Sequence, residues 1–192
     1  MLYMNGGFLY FKSIIIYMDN ILKKAESIDL SGEDLMNICN NKVEIIPYHT
    51  LGSYDSIENL LSKHGAVILL YETKREDYGH YVALFYNNNN DLEFFDSYGM
   101  KADEELKYAD YNLKEGIPFL TNLLKKYNKK VVMNTMRLQT FHNDINTCGR
   151  WTSCRIRWRD TPLREFQKLM TENANYHGDM WVSALTFLYT KK

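Results

Sequence analysis

The sequence predicts an α+β fold with a central mixed, mostly antiparallel sheet flanked by helices. Helical patterns fill the first third of the chain, apolar strand patterns fill the middle, and helical patterns return in the last third. With 192 residues, 45% hydrophobic and 24% charged, the chain is long enough for one buried core and short for two. We therefore expect one domain over residues 1–192, in which 1–29 form an N-terminal segment whose packing the pattern leaves open.

Two helices are predicted after this segment. In SGEDLMNIC, Ser31 is a candidate N-cap and Asp34 follows three residues later, a variant of the capping box. YDSIENLLSKH predicts an amphipathic helix that ends near Gly65. The apolar opening MLYMNGGFLYFKSIIIYM is interrupted by Lys12, and neither part approaches the ~18 residues that predict a membrane span, so we expect no membrane contact.

Strand patterns dominate the middle of the chain. AVILLYE is a continuous apolar run typical of a central strand, and HYVALFY and LEFFDSY follow on either side of the turn NNNN. KKVVMNTMRL is a further strand candidate. Before it, GIPFLTNLLKKYN predicts a helix with Pro118 in its first turn.

The last third predicts three helices. In CGRWTSCRIRWR, Trp151 and Trp158 lie at helical spacing and form an aromatic stripe. TPLREFQKLMTEN has Thr161 as its cap and Pro162 at its first helical position. GDMWVSALTFLY predicts the final helix, which follows Asp179.

The hairpin around the asparagine turn places a histidine near a carboxylate. If the turn is centred at Asn88, His80 lies opposite Asp96, where Cβ atoms are ~4.5–5.5 Å apart. A carboxylate on one imidazole nitrogen fixes the tautomer and leaves the other nitrogen free as a base. The alternative is a His–Asp pair that only closes the hairpin.

Cys148 stands at the start of a predicted helix, where the helix dipole and free N–H groups favour a thiolate. Gly149 removes bulk beside the sulfur and lets an extended substrate approach. The alternative is a packed thiol, an interpretation that suits Cys39 and Cys154 on apolar helix faces. We expect no metal or cofactor site, since the spacing of Cys148 and Cys154 matches no familiar zinc pattern.

Gln139, nine residues before Cys148, is a candidate donor to the oxyanion that acyl transfer to a cysteine would generate. Asn143 and Asn146 are alternatives, and all three residues also suit ordinary loop roles.

Basic side chains are concentrated in the last third, although the formal net charge is only −1. A solvated helix surface paired with acids is the favoured interpretation, and contact with nucleic acid is the alternative. The cluster comprises Arg150, Arg155, Arg157, Arg159, Arg164 and Lys168.

GHYVALFY, FFDSYG, a later Gln and TCGRW together give the order His, Asp, Gln, Cys. This order resembles the adenain-like and SUMO-protease-like cysteine peptidases. More narrowly, LSGEDL, FFDSYGMKADEEL and NTCGRW are similar to segments of the capsid-maturation proteases of large DNA viruses and virophages. The resemblance runs from about Leu30 to Trp158.

The resemblance implies that Cys148 is the nucleophile, His80 the general base and acid, Asp96 the residue that orients the histidine, and Gln139 the oxyanion donor. It also implies an adenain-like fold, with the nucleophile at a helix N-terminus packed on the sheet.

The resemblance further implies an endopeptidase that cleaves capsid or other virion precursors during virus maturation, in the host cytoplasm or viral factory and in the virion. Tyr81, where the family more often has Trp, and Gly149 would line a narrow channel that suits Gly-containing cleavage sites. A DNA or peptide activator would fit the family, and a monomer is the default. The alternatives are an isopeptidase that removes ubiquitin-like or SUMO-like modifiers, and a catalytically silent binding module.

Overall fold

A computed structural model describes residues 17–75, 78–108, 116–172 and 176–190. Its five strands are β1 (Glu44–Pro47), β2 (Ala66–Arg75), β3 (Tyr78–Tyr86), β4 (Leu92–Phe95) and β5 (Val131–Met133). They form one sheet in the order β1-β2-β3-β4-β5, antiparallel at β2–β3 and β3–β4 and parallel at β1–β2 and β4–β5. The predicted α+β class with a mixed sheet is confirmed, whereas the short β1 was not predicted.

Seven helices lie in the described part of the chain, with 3₁₀ turns at Tyr48–Ser53, Glu104–Tyr108 and Phe187–Tyr189. The helices are α1 (17–26), α2 (Gly32–Ile38), α3 (Ile57–Leu60), α4 (Phe119–Lys126), α5 (Cys148–Arg157), α6 (Leu163–Thr171) and α7 (Gly178–Thr186). None of the described helices is long and apolar enough to cross a membrane. Most of the apolar opening falls in 1–16, outside the described residues.

The observed ends of the helices agree only in part with those predicted from the sequence. Ser31 caps α2 in a reciprocal capping box with Asp34, as predicted. The predicted start of α6 was wrong by one position, because Pro162 is its N-cap. The predicted start of α7 was also wrong, because Asp179 lies inside the first turn, behind the N-cap His177.

The register of the central hairpin differs from the predicted one by two residues. Ala83 pairs with Phe95, so paired numbers sum to 178 and the turn is centred at Asn89 instead of Asn88. The Asn87 side chain accepts the backbone N–H groups of residues 89 and 91, and Asn90 has φ +59°, which together close a longer turn. A shift of two residues leaves every side chain on the face that was predicted.

Both faces of the sheet are covered, which explains the continuous apolar run of β2. One layer packs α2, α5, α6 and α7 on side chains such as Ile68 and Phe85. The other packs α3, α4 and the 3₁₀ turn Tyr48–Ser53 on side chains such as Leu69 and Leu84. The helix α5, whose first residue is Cys148, packs directly on β3.

Two members of the basic cluster are buried, so the interpretation of the whole cluster as a solvated surface was wrong. Arg155 is 0% exposed and donates to both carboxylate oxygens of Glu93, at 2.7 and 2.9 Å. Arg150 is 2% exposed and donates to Thr186 Oγ1 at 2.9 Å. Both side chains hold the core together and are not available to a nucleic acid.

Candidate active site

Cys148 is the first residue of α5, which Thr147 precedes as N-cap, and its side chain is only partly buried. The N-terminus of a helix stabilises a negative charge through its unpaired N–H groups. Cys39 and Cys154 are buried instead, and burial raises the pKa of each of these thiols to about 12. Cys148 thus lies at the start of a helix, as predicted, and is partly exposed, while the other two cysteines are core residues.

His80 and Asp96 are brought together as the sequence predicted, although by a different register. His80 Nε2 lies 2.9 Å from Asp96 Oδ1, and the backbone N–H of Tyr98 donates to the same oxygen at 2.8 Å. Asp96 is fully buried and His80 is 6% exposed. Since Nε2 is occupied by the aspartate, Nδ1 is the ring nitrogen left for another partner.

The imidazole of His80 interacts with Cys148 as well as with Asp96. Burial disfavours its charged form, but hydrogen bonds to Asp96 and Cys148 and the charges of both groups raise the pKa of His80 well above its usual value. At neutral pH this environment favours the imidazolium form of His80 beside the Cys148 sulfur.

Tyr98 is a member of the site that sequence reasoning missed. Its ring stacks on that of His80, with centroids 4.8 Å apart and 21° between the planes. Tyr98 lies in the turn after β4, beyond the strand pairs of the hairpin, which end at Ala83 and Phe95. Because this turn lies outside the paired strands, the hairpin register alone does not indicate the contact.

Gln139 is 1% exposed, and its amide is fixed from both sides. Ser97 Oγ donates to its Oε1 at 2.7 Å, while its Nε2 donates to Tyr98 Oη at 3.1 Å and to the carbonyl of Ile145 at 3.4 Å. The amide lies at the wall of the cleft that Cys148 also lines. Both N–H groups of the amide thus already have acceptors, and an oxyanion would take the place of one of them.

The two alternatives to Gln139 differ from each other. The amide of Asn146 is engaged elsewhere, because its Nδ2 donates to the carbonyl of Ser27 at 3.0 Å and its backbone N–H to that of Glu26 at 2.7 Å. Asn143 lines the cleft with Gln139. Asn146 lines the cleft too, so both asparagines remain rival donors, and Asn146 also anchors the segment after α1.

The cleft has a volume of about 390 Å³, and its wall combines polar and aromatic side chains. It is lined by His80, Tyr98, Gln139 and Cys148 together with Tyr108 and Phe141, among others. A smaller recess of about 50 Å³ adjoins Cys148 and is lined by Tyr81, Gly149 and Gly79. The predicted substrate-contact residues thus lie beside the thiol.

Gly149 is packed closely. A Cβ at this position would lie 3.0 Å from Leu35 Cδ2 and 3.4 Å from Tyr81 Cδ2. The absence of a side chain therefore serves the packing of α5 on α2 and β3, in addition to the predicted access to sulfur.

Asp179 is a second residue that sequence reasoning missed as part of the site. It is 1% exposed, and its carboxylate accepts from the backbone N–H of Thr140 at 2.9 Å, from Thr147 Oγ1 at 2.5 Å and from Trp151 Nε1 at 2.9 Å. Thr140 follows Gln139 and Thr147 precedes Cys148. One carboxylate of α7 thus fixes both ends of the segment between the two residues.

No family model matches the chain. The chain is 38% identical over 160 residues to uncharacterized protein V9 of Sputnik virophage, a match that covers 81% of this chain and 91% of the virophage protein. At this identity and coverage, the chain belongs to the same family as that virophage protein.

Proposed function

We propose that this protein is a cysteine endopeptidase of the adenain-like type that cleaves capsid or other virion precursors during virus maturation. The observation that carries the proposal is the set Cys148, His80 and Asp96, with the fixed amide of Gln139 in the same cleft. Membership of a virophage protein family supports the viral setting and, with it, action in an infected host cell or in the virion.

The site residues supply each step of amide hydrolysis. The Cys148 thiolate attacks the scissile carbonyl, and the new oxyanion accepts hydrogen bonds from Gln139 and from backbone N–H groups at the start of α5. The His80 imidazolium then protonates the amine as the C–N bond breaks. His80 next removes a proton from water, which attacks the acyl-enzyme and releases the acid and the free thiol.

In this scheme Asp96 orients His80, and Tyr81 limits the access of substrate to Cys148. The Asp96 carboxylate holds the Nε2 side of His80 and stabilises its charge, which leaves Nδ1 for proton exchange with Cys148. Tyr81 and Gly149 narrow the recess beside the thiol. A thin peptide strand with glycine near the scissile bond is the substrate that suits such a recess.

The first experiment is the rate of Cys148 alkylation by iodoacetamide as a function of pH, in wild type and in His80→Ala, with Cys148→Ala as the blank. We expect fast alkylation well below pH ~8.5, the pKa of a free thiol, and its loss in His80→Ala. Cys39 and Cys154 are buried and should not contribute.

An ordinary thiol profile in both proteins would refute the proposal and favour a silent binding module. If alkylation behaves as expected, hydrolysis of a Gly-containing peptide and of a ubiquitin- or SUMO-linked reporter should be compared. Preference for the reporter would favour the isopeptidase alternative.

A further inference from the structure

Glu105 is a third ionisable side chain beside His80 and Asp96. It belongs to the 3₁₀ turn Glu104–Tyr108, is 5% exposed and places Oε1 3.8 Å from His80 Nε2. One side-chain donor atom from each of the three residues lies within 4.8 Å of the other two.

Two carboxylate oxygens in this group lack a hydrogen-bond donor. Within the described ranges, Asp96 Oδ2 and Glu105 Oε1 are buried and have no hydrogen-bond partner. Two ionised carboxylates in such a place would repel each other, and each bare oxygen would bear the cost of desolvation. One proton between the two acids removes both costs, because a protonated carboxyl group supplies an O–H donor.

Glu105 is the acid that carries the proton more readily. Asp96 Oδ1 already accepts two hydrogen bonds, from His80 and from the backbone of Tyr98, whereas Glu105 Oε1 accepts none from the described residues. Burial raises the pKa of Glu105; the charge of His80 opposes this effect and that of Asp96 adds to it.

The other charged neighbours do not replace this proton. Lys107 and Glu104, on the same turn, act on Glu105 with opposite signs and are exposed. Strand β2 also packs on this turn, and the titratable side chains that the structure describes on it, Tyr71 and Glu72, bond Asp103 and His49.

A metal ion between the three side chains would need the lone pair of His80 Nε2. That nitrogen is hydrogen-bonded to Asp96 Oδ1 at 2.9 Å, as an N–H donor to a carboxylate. The hydrogen bond therefore favours a proton over a cation in this space.

We propose that Glu105 is a positioning residue that holds a proton at neutral pH and donates it to Asp96 Oδ2, directly or through one water molecule. The hydrogen bond keeps the Asp96 carboxylate aligned on His80. When Glu105 ionises at higher pH, the bond is lost and a second negative charge appears beside the imidazolium. The inference rests on the proposed function, since the reactivity of Cys148 reports the alignment.

The test repeats the alkylation profile with three variants of the full chain. Glu105→Gln keeps a neutral donor and should stay within about threefold of wild type, without the decline that accompanies ionisation of Glu105. Glu105→Ala leaves Asp96 without this donor and should be slower by roughly tenfold at neutral pH. Glu104→Gln, the same charge change at an exposed neighbour, should match wild type.

Infrared difference spectra of wild type minus Glu105→Gln at pH 7 provide a readout that needs neither reactivity nor the alanine variant. We expect the band of a protonated carboxylic acid. A carboxylate band in its place, with or without a bound cation, would overturn the inference. If His80→Ala slows alkylation while Glu105→Gln and Glu105→Ala match wild type at every pH, Glu105 has no such role and the proposed function stands. If His80→Ala has no effect, the proposed function itself fails.

Discussion

The three cysteines of the chain differ in chemistry because each has a different environment. Cys39 and Cys154 lie in the apolar layer around α5, where burial raises the thiol pKa and the charges of nearby arginines offset this effect only in part. Cys148 begins the same helix as Cys154 and is partly exposed, with His80 beside it. Six positions along one helix thus separate an inert thiol from a candidate nucleophile.

Asp96→Asn should slow alkylation of Cys148 and peptide hydrolysis by at least about a hundredfold at pH 7. The reason is that the Asp96 charge raises the pKa of His80, so its removal lowers that pKa and depletes the imidazolium at neutral pH. The measurement is the pH–rate profile of both reactions.

The same variant changes the pH dependence of stability. A histidine with a raised pKa stabilises the fold fully below its usual value of ~6.5, and this contribution is lost as pH rises through the folded-state value. His80 thus makes the free energy of unfolding decline as pH rises. In Asp96→Asn we expect this decline to be smaller. An unchanged rate and an unchanged stability profile would show that His80 does not depend on Asp96.

Gln139→Ala should lower kcat for peptide hydrolysis by about 10²–10³-fold with little change in KM, because the lost donor acts on the oxyanion of the transition state. Asn143→Ala is the matched control, since Asn143 lines the same cleft, and it should stay within a few-fold of wild type. A larger loss of kcat in Asn143→Ala than in Gln139→Ala would identify Asn143 as the oxyanion donor.

Gly79, the residue before His80 on β3, approaches the backbone of β2 so closely that only glycine fits there. A Cβ on Gly79 would lie 1.8 Å from the carbonyl oxygen of Tyr71 on β2. The pairing of β2 with β3 shifts register near this point, between Glu72 and Arg75. The irregularity thus sits immediately before the histidine.

Gly79→Ala should destabilise the protein by about 3 kcal/mol or more, because the contact is with backbone and the strands must move apart. Gly32→Ala is the control: its Cβ would meet only Ile45 Cδ1, at 3.4 Å, and alanine favours the helix. Denaturant unfolding of both variants checks the prediction, and equal midpoints would contradict it.

The hydrogen bonds of Asp179, which connect α7 to α5 and to the segment before it, predict a second effect on stability. Asp179→Ala leaves three donors without their acceptor and should cost about 3–5 kcal/mol of stability. Asp160→Ala removes an exposed acid after α5 and should stay within about 0.5 kcal/mol of wild type.

Asp179→Asn provides an activity test, since it keeps one acceptor oxygen and should fold. We expect a lower kcat in the folded variant, because Thr140 and Thr147 are no longer both held. Full activity of folded Asp179→Asn would mean that the carboxylate supports only the fold.

The parts of the site that could be predicted from sequence are those that depend on residues close together in the chain. His80 and Asp96 belong to one hairpin, so period-two alternation predicted their common face even with the wrong turn centre. Cys148 was recognisable from its place at a helix start. Glu105 and Asp179 were not, because their partners lie on other elements and nothing in a short window of sequence indicates the contact.

At the scale of the whole molecule, the two layers that cover the sheet are joined to it by different means. The layer of α3 and α4 is mainly apolar, whereas α5 is also joined to β4 by a fully buried ion pair of Arg155 with Glu93. The guanidinium further donates to the carbonyls of Trp158 and Thr161, beyond the end of α5. Phe85 and Phe166 lie against it, with centroids 5.3 and 5.0 Å from its central carbon.

This arrangement predicts strong coupling between the two charges. Glu93→Ala and Arg155→Met should each cost about 3–5 kcal/mol, because each leaves a buried charge unpaired. The double variant should cost clearly less than the sum, by at least about 2 kcal/mol, since no charge remains. It should not return to wild-type stability, because the carbonyls of Trp158 and Thr161 lose their donor. Denaturant unfolding of the four proteins measures the coupling, and additive losses would show that the pair contributes only through packing.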